Sequence, residues 1–180
     1  FIACIWDIGL EVGHSVRTLK ECIDLSYSDL TIFTTLLEHR LIVGPNELVA
    51  NLKISLYKNK RLWSPPKFFT AKQEEQHRRH KKYHDTAYNL EPSVKGGMGG
   101  LRDIQLIGWI GRRLYQFTGL DGLYENELLT KGQLILLRNS QKFLWKVRFA
   151  LHLITQRKED RLLFEYQVKV AKILGYNLDG

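Results

Sequence analysis

The chain has 180 residues, of which 44% are hydrophobic and 26% charged, with a formal net charge of +8. These values are typical of a folded globular protein and exclude an intrinsically disordered one. No apolar run approaches the roughly 18 residues of a membrane-spanning helix, and the start FIACIWDIGL lacks the basic residues of a signal peptide. Two cysteines, Cys4 and Cys22, are too few for a disulfide framework and favour a reducing cytoplasm.

The N-terminal third is predicted to contain one strand and two helices. Residues 1–8 have the character of the end of a buried apolar segment. Over residues 9–17 apolar and polar positions alternate, which predicts a strand whose second face carries Glu11 and Arg17. Ser28 is expected to cap a helix that ends at Gly44, and a second helix is expected over 46–58. A lone strand cannot pair with itself, so its partners are expected outside this chain.

The rest of the chain is predicted to be helical with interruptions. Consecutive prolines in LWSPPKFF break the pattern, because proline cannot continue a helix. Helices are then expected over about 69–84, 101–117, 130–157 and 164–174, with an irregular stretch over 85–99. The aromatic residues of the 130–157 helix are expected to pack in the core, and the charged residues 157–161 to form surface ion pairs.

Positive charge is concentrated in the middle of the chain. Residues 61–118 hold eleven Lys or Arg residues against five Asp or Glu, whereas residues 1–60 hold six against seven. An anionic ligand is therefore expected near the middle, and a phosphate, a nucleic acid or an acidic protein face would each fit. Because the first residue is Phe and the single methionine is Met98, we also expect the chain to be a segment of a longer protein.

The segment NLEPSVKGGMGGLRDIQ, residues 89–105, is the strongest candidate for an anion site. Its glycines permit positive φ angles and bring backbone N–H groups close to a ligand. The helix that follows adds the N–H groups and the positive dipole end of its first turn. Lys95 and Arg102 flank the glycines with donors suited to phosphate oxygens. The glycines in question are Gly96, Gly97, Gly99 and Gly100.

Two interpretations of this segment stay open at this point, a phosphate-binding loop and a plain flexible connection between helices. It matches neither the Walker loop nor the GxGxxG motif. Asp103 has an ordinary explanation as a carboxylate that complements the helix dipole, and a functional one in orienting Arg102 or a metal-bound water.

Three other patterns are weaker. His77, His80 and His84 share one helical face, but the Arg and Lys residues between them would repel a metal ion, so an anion-facing or solvated helix is favoured over a zinc site. The His84-Asp85 dipeptide of HD phosphohydrolases is present without the other ligands of that fold. His14 and Ser15 are neighbours on the predicted strand and point to opposite faces, which excludes a Ser/His hydrolase pair.

Three segments together carry a family resemblance. WDIGLEVGHSVRT, YHDTAYNLEPSVKGGMGGLRDIQ and FLWKVRFALH…EDRLLFEYQ…LGY resemble the bacterial bifunctional uridylyltransferase/uridylyl-removing enzymes that act on the PII nitrogen-signalling protein. The resemblance covers nearly the whole chain in order. The KxGxGGLRDI core is also similar to glutamine synthetase adenylyltransferases, but those read DLRLRP where this chain reads GLEVGHSVRT.

The resemblance implies an α+β, predominantly α fold. Residues 1–44 would be the end of a polymerase-β-like nucleotidyltransferase sheet, and residues 45–180 a helical bundle domain. It also implies a cytoplasmic enzyme that transfers UMP from UTP to PII and removes it again in response to glutamine, with Mg²⁺ and without nucleic acid or membrane partners. The family's GGxGRxEL…SDxD metal-binding segment does not occur in this sequence, so the isolated chain is predicted to be inactive.

The resemblance also suggests roles for individual residues. Glu11 is predicted to be a catalytic metal ligand, with Asp7 and Asp29 as weaker candidates. Arg17 and the basic helix would assist UTP binding or guide an acidic PII surface. The remaining predicted contacts to UTP phosphates come from Lys95, Gly96, Gly97, Gly99, Gly100 and Arg102, supported by Asp103.

Two alternatives follow from charge alone. One is a helical module that binds an acidic protein without nucleotide chemistry. The other is nucleic-acid binding, which is disfavoured because the sequence lacks an obvious exposed element in which basic and aromatic residues interleave.

Overall fold

The computed structural model describes residues 2–10, 12–59, 61–83, 88–117 and 119–176. These residues form two compact units, Phe1–Trp63 and Ser64–Gly180. The helices within the described ranges are α1 (Ile2–Asp7), α2 (Leu19–Ser28), α3 (Leu30–Leu37), α4 (Asn46–Lys58), α5 (Pro65–Lys82), α6 (Leu101–Tyr115), α7 (Asp121–Glu125), α8 (Lys131–Thr155) and α9 (Phe164–Ile173). The prediction of a mainly helical chain is confirmed, whereas the family-domain boundary at residue 44 stays a prediction.

The strand predicted over residues 9–17 is not found. Residues 2–7 form helix α1 and bury none of their side chains, so the expected end of a buried apolar segment is also wrong. Leu10 and residues 12–17 belong to neither a helix nor a strand, and Glu11 lies outside the described residues. The physical reason is that a strand is stabilised by ladder hydrogen bonds to a neighbour, and the described residues offer this segment none.

Helix α3 of the N-terminal unit begins and ends at residues other than those predicted. Asp29, rather than the predicted Ser28, is its N-cap, because the Asp29 carboxylate accepts hydrogen bonds from the N–H groups of Thr31 and Ile32 at 2.6 and 3.1 Å. The helix ends at Leu37 instead of continuing to residue 43. Both the backbone nitrogen and the ring Nδ1 of His39 lie within hydrogen-bond distance of the Leu36 carbonyl, which closes the last turn.

The C-terminal unit packs α5 on α6, α6 on α8, and α8 on both α7 and α9. One buried cluster of its core is aliphatic and lies where α8 and α9 meet the chain segment before the glycines. The buried residues of this cluster are Val94, Val147, Ala150, Leu151 and Val170. The backbone around residue 94 is therefore fixed by hydrophobic burial as well as by hydrogen bonds.

Helix α8 differs from its prediction in one respect. Leu151 and Val147 of the predicted apolar side are buried as expected. The aromatic residues Phe143, Trp145 and Phe149 instead remain substantially exposed. A helix of 25 residues presents more apolar surface than its neighbours in this unit cover, because α6, α7 and α9 pack on other parts of its circumference.

Candidate functional site

The glycine loop, residues 93–100, is held together by its own backbone. The Gly96 N–H donates to the Ser93 hydroxyl at 3.1 Å, and the Gly97 N–H donates to the Ser93 carbonyl at 3.0 Å. The Gly100 N–H donates to the Gly97 carbonyl at 3.0 Å. These N–H groups point into the chain, so the backbone donors that the sequence suggested for an anion are used in shaping the loop.

The first turn of α6 is closed in the same way. The Leu101 N–H donates to the Val94 carbonyl at 3.0 Å, and the Arg102 N–H donates to the Lys95 carbonyl at 2.9 Å. The orphan donors that make a helix N-terminus an anion site are thereby satisfied. The second of these bonds also joins the backbones of Lys95 and Arg102, the two cationic residues predicted to contact phosphate.

The glycines are required mainly for close packing. Gly99 alone among the four adopts a positive φ, of 74°. A Cβ atom on Gly96 would lie 2.7 Å from the Tyr83 ring, and one on Gly97 would lie 2.8 Å from the Ser93 carbonyl oxygen. A side chain at either position would therefore push the loop away from the elements that hold it.

Asp103 joins the loop to helix α5. Its Oδ1 accepts hydrogen bonds from Arg79 at 2.7 Å and Gln76 at 3.0 Å, and its Oδ2 accepts one from the Gly99 N–H at 2.8 Å. The His80 Nε2 lies 3.0 Å from both carboxylate oxygens. Arg79 also donates to the Gly96 carbonyl at 3.0 Å, so one guanidinium contacts both the carboxylate and the loop.

We name this set of residues, Asp103 with Gln76, Arg79 and His80, the α5 clamp. Burial of Asp103 would raise the pKa of its carboxyl, but the hydrogen bonds from Arg79, Gln76 and Gly99 outweigh that effect and lower the pKa. Asp103 is therefore ionised at neutral pH and acts purely as an acceptor. It orients the loop through Gly99, which differs from the predicted role of orienting Arg102.

A second carboxylate, that of Asp160, lies near the Lys95 ammonium of the loop. Its Oδ1 accepts a hydrogen bond from the Arg148 Nε at 2.6 Å and lies 3.6 Å from the His152 Nε2. The Lys95 Nζ is 3.7 Å from Oδ2, beyond direct hydrogen bonding. We name this set, Asp160 with Lys95, Arg148 and His152, the α8 clamp.

The pKa of Asp160 is also lowered. Its partial burial acts to raise the pKa, but the hydrogen bond and charge of Arg148, followed by the charge of Lys95, have the larger combined effect.

Residues 157–161 were predicted to form surface ion pairs. Such pairs are found between Arg157 and Glu159 at 3.1 Å and between Arg161 and Glu91 at 3.3 Å. Asp160 differs because its side chain is only 27% exposed and the backbone at this residue is fastened to the segment that precedes the glycines.

That fastening is an extended pairing of two segments distant in sequence. The Val94 N–H donates to the Asp160 carbonyl at 2.8 Å, and the Leu162 N–H donates to the Pro92 carbonyl at 2.9 Å. The Glu91 carboxylate accepts the Phe164 N–H at 3.0 Å and so caps helix α9. The motif that contains the glycines and the EDRLLFEYQ motif are thus two halves of one structural feature.

Arg102 lies against the indole of Trp109 on the same helix. Its guanidinium carbon is 5.3 Å from the ring centroid, and its NH1 donates to the Gln105 side-chain oxygen at 3.1 Å. The Lys72 Nζ, from α5, is 4.6 Å from the same ring and pairs with Glu75 at 2.7 Å. Arg102 is therefore partly buried and oriented along α6 before any ligand is present.

The remaining predicted residues are placed as follows. Arg17 belongs to the N-terminal unit, where it lines a cleft of about 400 Å³ together with Cys22, His39 and Arg40. Glu11, the predicted metal ligand, and the His84-Asp85 pair lie outside the described residues. Within the described ranges, no group of three or more His, Cys, Asp or Glu side chains is arranged to hold a metal ion.

Sequence reasoning missed the inward face of α5. Lys72, Gln76, Arg79, His80 and Tyr83 are the residues concerned. They recur at helical spacing on one side, which is a detectable signal. It was missed because a polar stripe ordinarily faces solvent, whereas here it faces the Asp103 carboxylate, the Trp109 ring and the loop glycines.

These features define a class of protein, a mainly helical chain built around a clamped and cationic glycine loop. The family described as GlnD PII-uridylyltransferase matches residues 67–180. The chain is 49% identical over all of its 180 residues to a bifunctional uridylyltransferase/uridylyl-removing enzyme of Nitrosococcus oceani. Proteins of the same name from Pseudomonas savastanoi pv. phaseolicola and Pseudomonas aeruginosa are 50% and 47% identical over 98% of the chain.

The chain therefore belongs to the GlnD PII-uridylyltransferase family. It spans about a fifth of the length of these relatives, since the matched segment is 20% of the Nitrosococcus and savastanoi proteins and 19% of the aeruginosa protein. No solved structure matches it. No described helix is both long enough and apolar enough to cross a membrane.

Proposed function

We propose that this chain is the phosphate-contacting helical part of an enzyme that transfers UMP from UTP to the PII protein and removes it again in response to glutamine. Membership of the family and near-50% identity to proteins named for both activities support the reaction class. The observation that supports the site is the backbone hydrogen bond between Lys95 and Arg102, which holds the backbones of two cationic residues together on a clamped loop.

In this proposal the side chains, not the loop backbone, contact the nucleotide. Arg102 keeps part of its surface exposed and is oriented by Trp109 and Gln105, so little rotamer entropy is lost when it binds a phosphate oxygen. Lys95 is 40% exposed, and its 3.7 Å separation from Asp160 leaves the ammonium able to turn toward a stronger anion. The glycines Gly96, Gly97, Gly99 and Gly100 serve to hold both residues in place.

The proposed reaction is nucleotidyl transfer. A PII tyrosine hydroxyl attacks the α-phosphorus of UTP and forms a new O–P bond. The bond from the α-phosphorus to the oxygen that bridges to the β-phosphate breaks, and pyrophosphate leaves with the electron pair of that bond. The tyrosine hydroxyl releases its proton to solvent in this step. Lys95 and Arg102 are suited to neutralise the charge that builds on the departing phosphates.

The proposal extends to Glu11 and Arg17 as predicted, with Glu11 a metal-binding carboxylate and Arg17 an additional phosphate contact. Among the described residues, no three His, Cys, Asp or Glu side chains are grouped so as to hold a metal ion. Magnesium, when bound, would supply charge neutralisation at the triphosphate. We expect its main ligands in the longer relatives to come from carboxylates other than those described here.

Arg102→Ala in the full-length protein tests the phosphate assignment. UTP-dependent transfer should fall by roughly 100-fold, because one charge-assisted contact to the leaving phosphates is lost. Hydrolysis of uridylylated PII should change little. Arg102→Lys should recover only part of the transfer rate, since a lysine cannot reproduce the planar stack on Trp109.

The matched control is Arg138→Ala, which removes an exposed arginine of α8 that pairs with Asp121 on the surface of the same unit. It should leave both activities unchanged. Unaltered transfer in Arg102→Ala, measured with radiolabelled UTP, would show that the loop does not contact the nucleotide.

The chain on its own is expected to be inactive. Without the family's aspartate-containing metal segment it should transfer no radiolabel from UTP to PII. Transfer above the level of a heat-denatured sample would overturn this part of the proposal.

A further inference from the structure

Helix α8 carries an unusual distribution of charge. Its 25 residues contain no Asp or Glu and five basic residues, Lys131, Arg138, Lys142, Lys146 and Arg148. Two of the basic residues are engaged within the C-terminal unit, Arg138 with Asp121 and Arg148 with Asp160. For Lys131, Lys142 and Lys146, no ion pair is found among the described residues.

An apolar ridge runs beside these lysines. Trp145, Phe149 and Leu153 are four residues apart and are 53%, 71% and 51% exposed. Ile135, 49% exposed, falls on the same side of the helix nearer its start. Large side chains aligned at a spacing of four residues form the type of ridge that fits a groove on another helix.

The basic ridge is adjacent to the apolar one. Lys142 and Lys146 precede Trp145 and Phe149 by three residues each, so each of these two lysines lies next to an aromatic residue on the helix surface. The outer face of α8, defined here as Ile135, Lys142, Trp145, Lys146, Phe149 and Leu153, therefore combines exposed apolar bulk with positive charge only. Exposed patches of this kind on folded proteins mark interaction surfaces.

We propose that the outer face of α8 docks an acidic amphipathic helix from another part of the longer polypeptide of this family. Charge complementarity requires Asp or Glu residues flanking the apolar stripe of the occupant. The relatives carry four-fifths of their length outside the segment matched here, which provides such an occupant in the same chain. This docking does not depend on the nucleotide chemistry.

Other occupants fit the face less well. A second copy would bring Lys142 and Lys146 against lysines of the same kind, and like charges at a two-fold contact repel. The expectation that no exposed helix interleaves basic and aromatic residues is wrong for α8, where Lys142 and Lys146 alternate with the exposed Trp145 and Phe149. A single-stranded nucleic acid stacks its bases on flat rings, but Ile135 and Leu153 at the two ends of the face offer no stacking surface. They are buried favourably only against other apolar side chains.

The test is site-specific photocrosslinking in the full-length polypeptide that carries this chain. A benzophenone amino acid replaces Phe149, and in a matched control it replaces Tyr88, an aromatic residue that is 93% exposed outside α8. We expect the probe at position 149 to crosslink within the same polypeptide to a segment rich in Asp and Glu. The control at position 88 should not reach that segment.

A second measurement compares hydroxyl-radical oxidation of Trp145 in the 180-residue chain and in the full-length polypeptide. Trp145 should be oxidised several times more slowly in the longer protein, and the double variant Lys142→Glu, Lys146→Glu should restore fast oxidation. Crosslinks to a second copy, to nucleic acid, to lipid or to a separate protein would overturn the proposal. So would the absence of any crosslink together with equal oxidation in both proteins.

Discussion

Asp103 and Asp160 both hold the glycine loop through ion pairs, but their surroundings differ. Asp103 has 16% of its side chain exposed and accepts hydrogen bonds from Gln76, Arg79 and the Gly99 backbone. Asp160 has 27% exposed, with one close bond to Arg148 and looser contacts to His152 and Lys95. The α5 clamp fixes the backbone of the loop, whereas the α8 clamp restrains the exposed side chain of Lys95, which we propose contacts a phosphate.

Removing each carboxylate in turn should lower the free energy of unfolding by different amounts. Asp103→Ala leaves Arg79 and His80 without their acceptor and should lower the free energy of unfolding of the C-terminal unit by about 3 kcal/mol. Asp160→Ala should cost about 1 kcal/mol, because its cations are closer to solvent and retain water. Urea unfolding of the 180-residue chain, followed by circular dichroism, measures both. Equal losses would contradict the assignment of different roles.

The control for both variants is Asp121→Ala. It removes an exposed carboxylate that pairs with Arg138 on the surface of the same unit. Its effect should be under about 0.5 kcal/mol.

The loop that both clamps hold should tolerate no added methyl group at its centre. Gly97→Ala places a Cβ 2.8 Å from the Ser93 carbonyl oxygen and should lower stability by about 2 kcal/mol. Gly108→Ala, in α6, meets open space and should instead stabilise by about 0.5–1 kcal/mol through helix propensity. Thermal unfolding distinguishes the two, and a neutral Gly97→Ala would show that the loop can relax.

The smallest expected effect is the response to acid. The pKa values of Asp103 and Asp160 are both lowered in the folded chain, so the unfolded state binds protons first as pH falls. Their stabilising contribution is full above the ordinary Asp pKa of about 3.9 and is lost as pH falls through the folded values. Stability between pH 7 and pH 3 should therefore decline less steeply in Asp103→Asn than in the unaltered chain. Parallel curves would show that Asp103 does not titrate differently on folding.

Sequence patterns predicted the positions of the helices more accurately than they predicted what packs against each element. The start of α6 at Leu101 follows from the glycines before it, and α8 was expected within a few residues of its observed ends. The strand over 9–17 was wrong because alternation shows only that two faces differ in polarity, and it does not supply a partner strand. The exposure of Trp145 and Phe149 was missed because apolar periodicity gives the direction of a face but not whether something covers it.

The candidate site likewise has a part that the sequence alone shows and a part that depends on how the helices pack. One short segment contains Lys95, the glycines, Arg102 and Asp103, so the sequence alone shows that these residues are close together. The partners of that segment, Arg79 on α5 and Asp160 beyond α8, are separated from it by tens of residues and lie beside it only after the helices pack.

The sequence by itself determined the helical class, the family and the chemical identity of the loop, because these depend on residue type and local spacing. Only the tertiary structure decided that the loop N–H groups point inward. A backbone N–H donates to whichever acceptor the folded chain places near it. In this loop the acceptors are the Ser93 and Val94 carbonyls and the Asp103 carboxylate, so these N–H groups are already bonded within the protein. In the proposed site, the side chains of Lys95 and Arg102 are consequently the groups that would contact an anion.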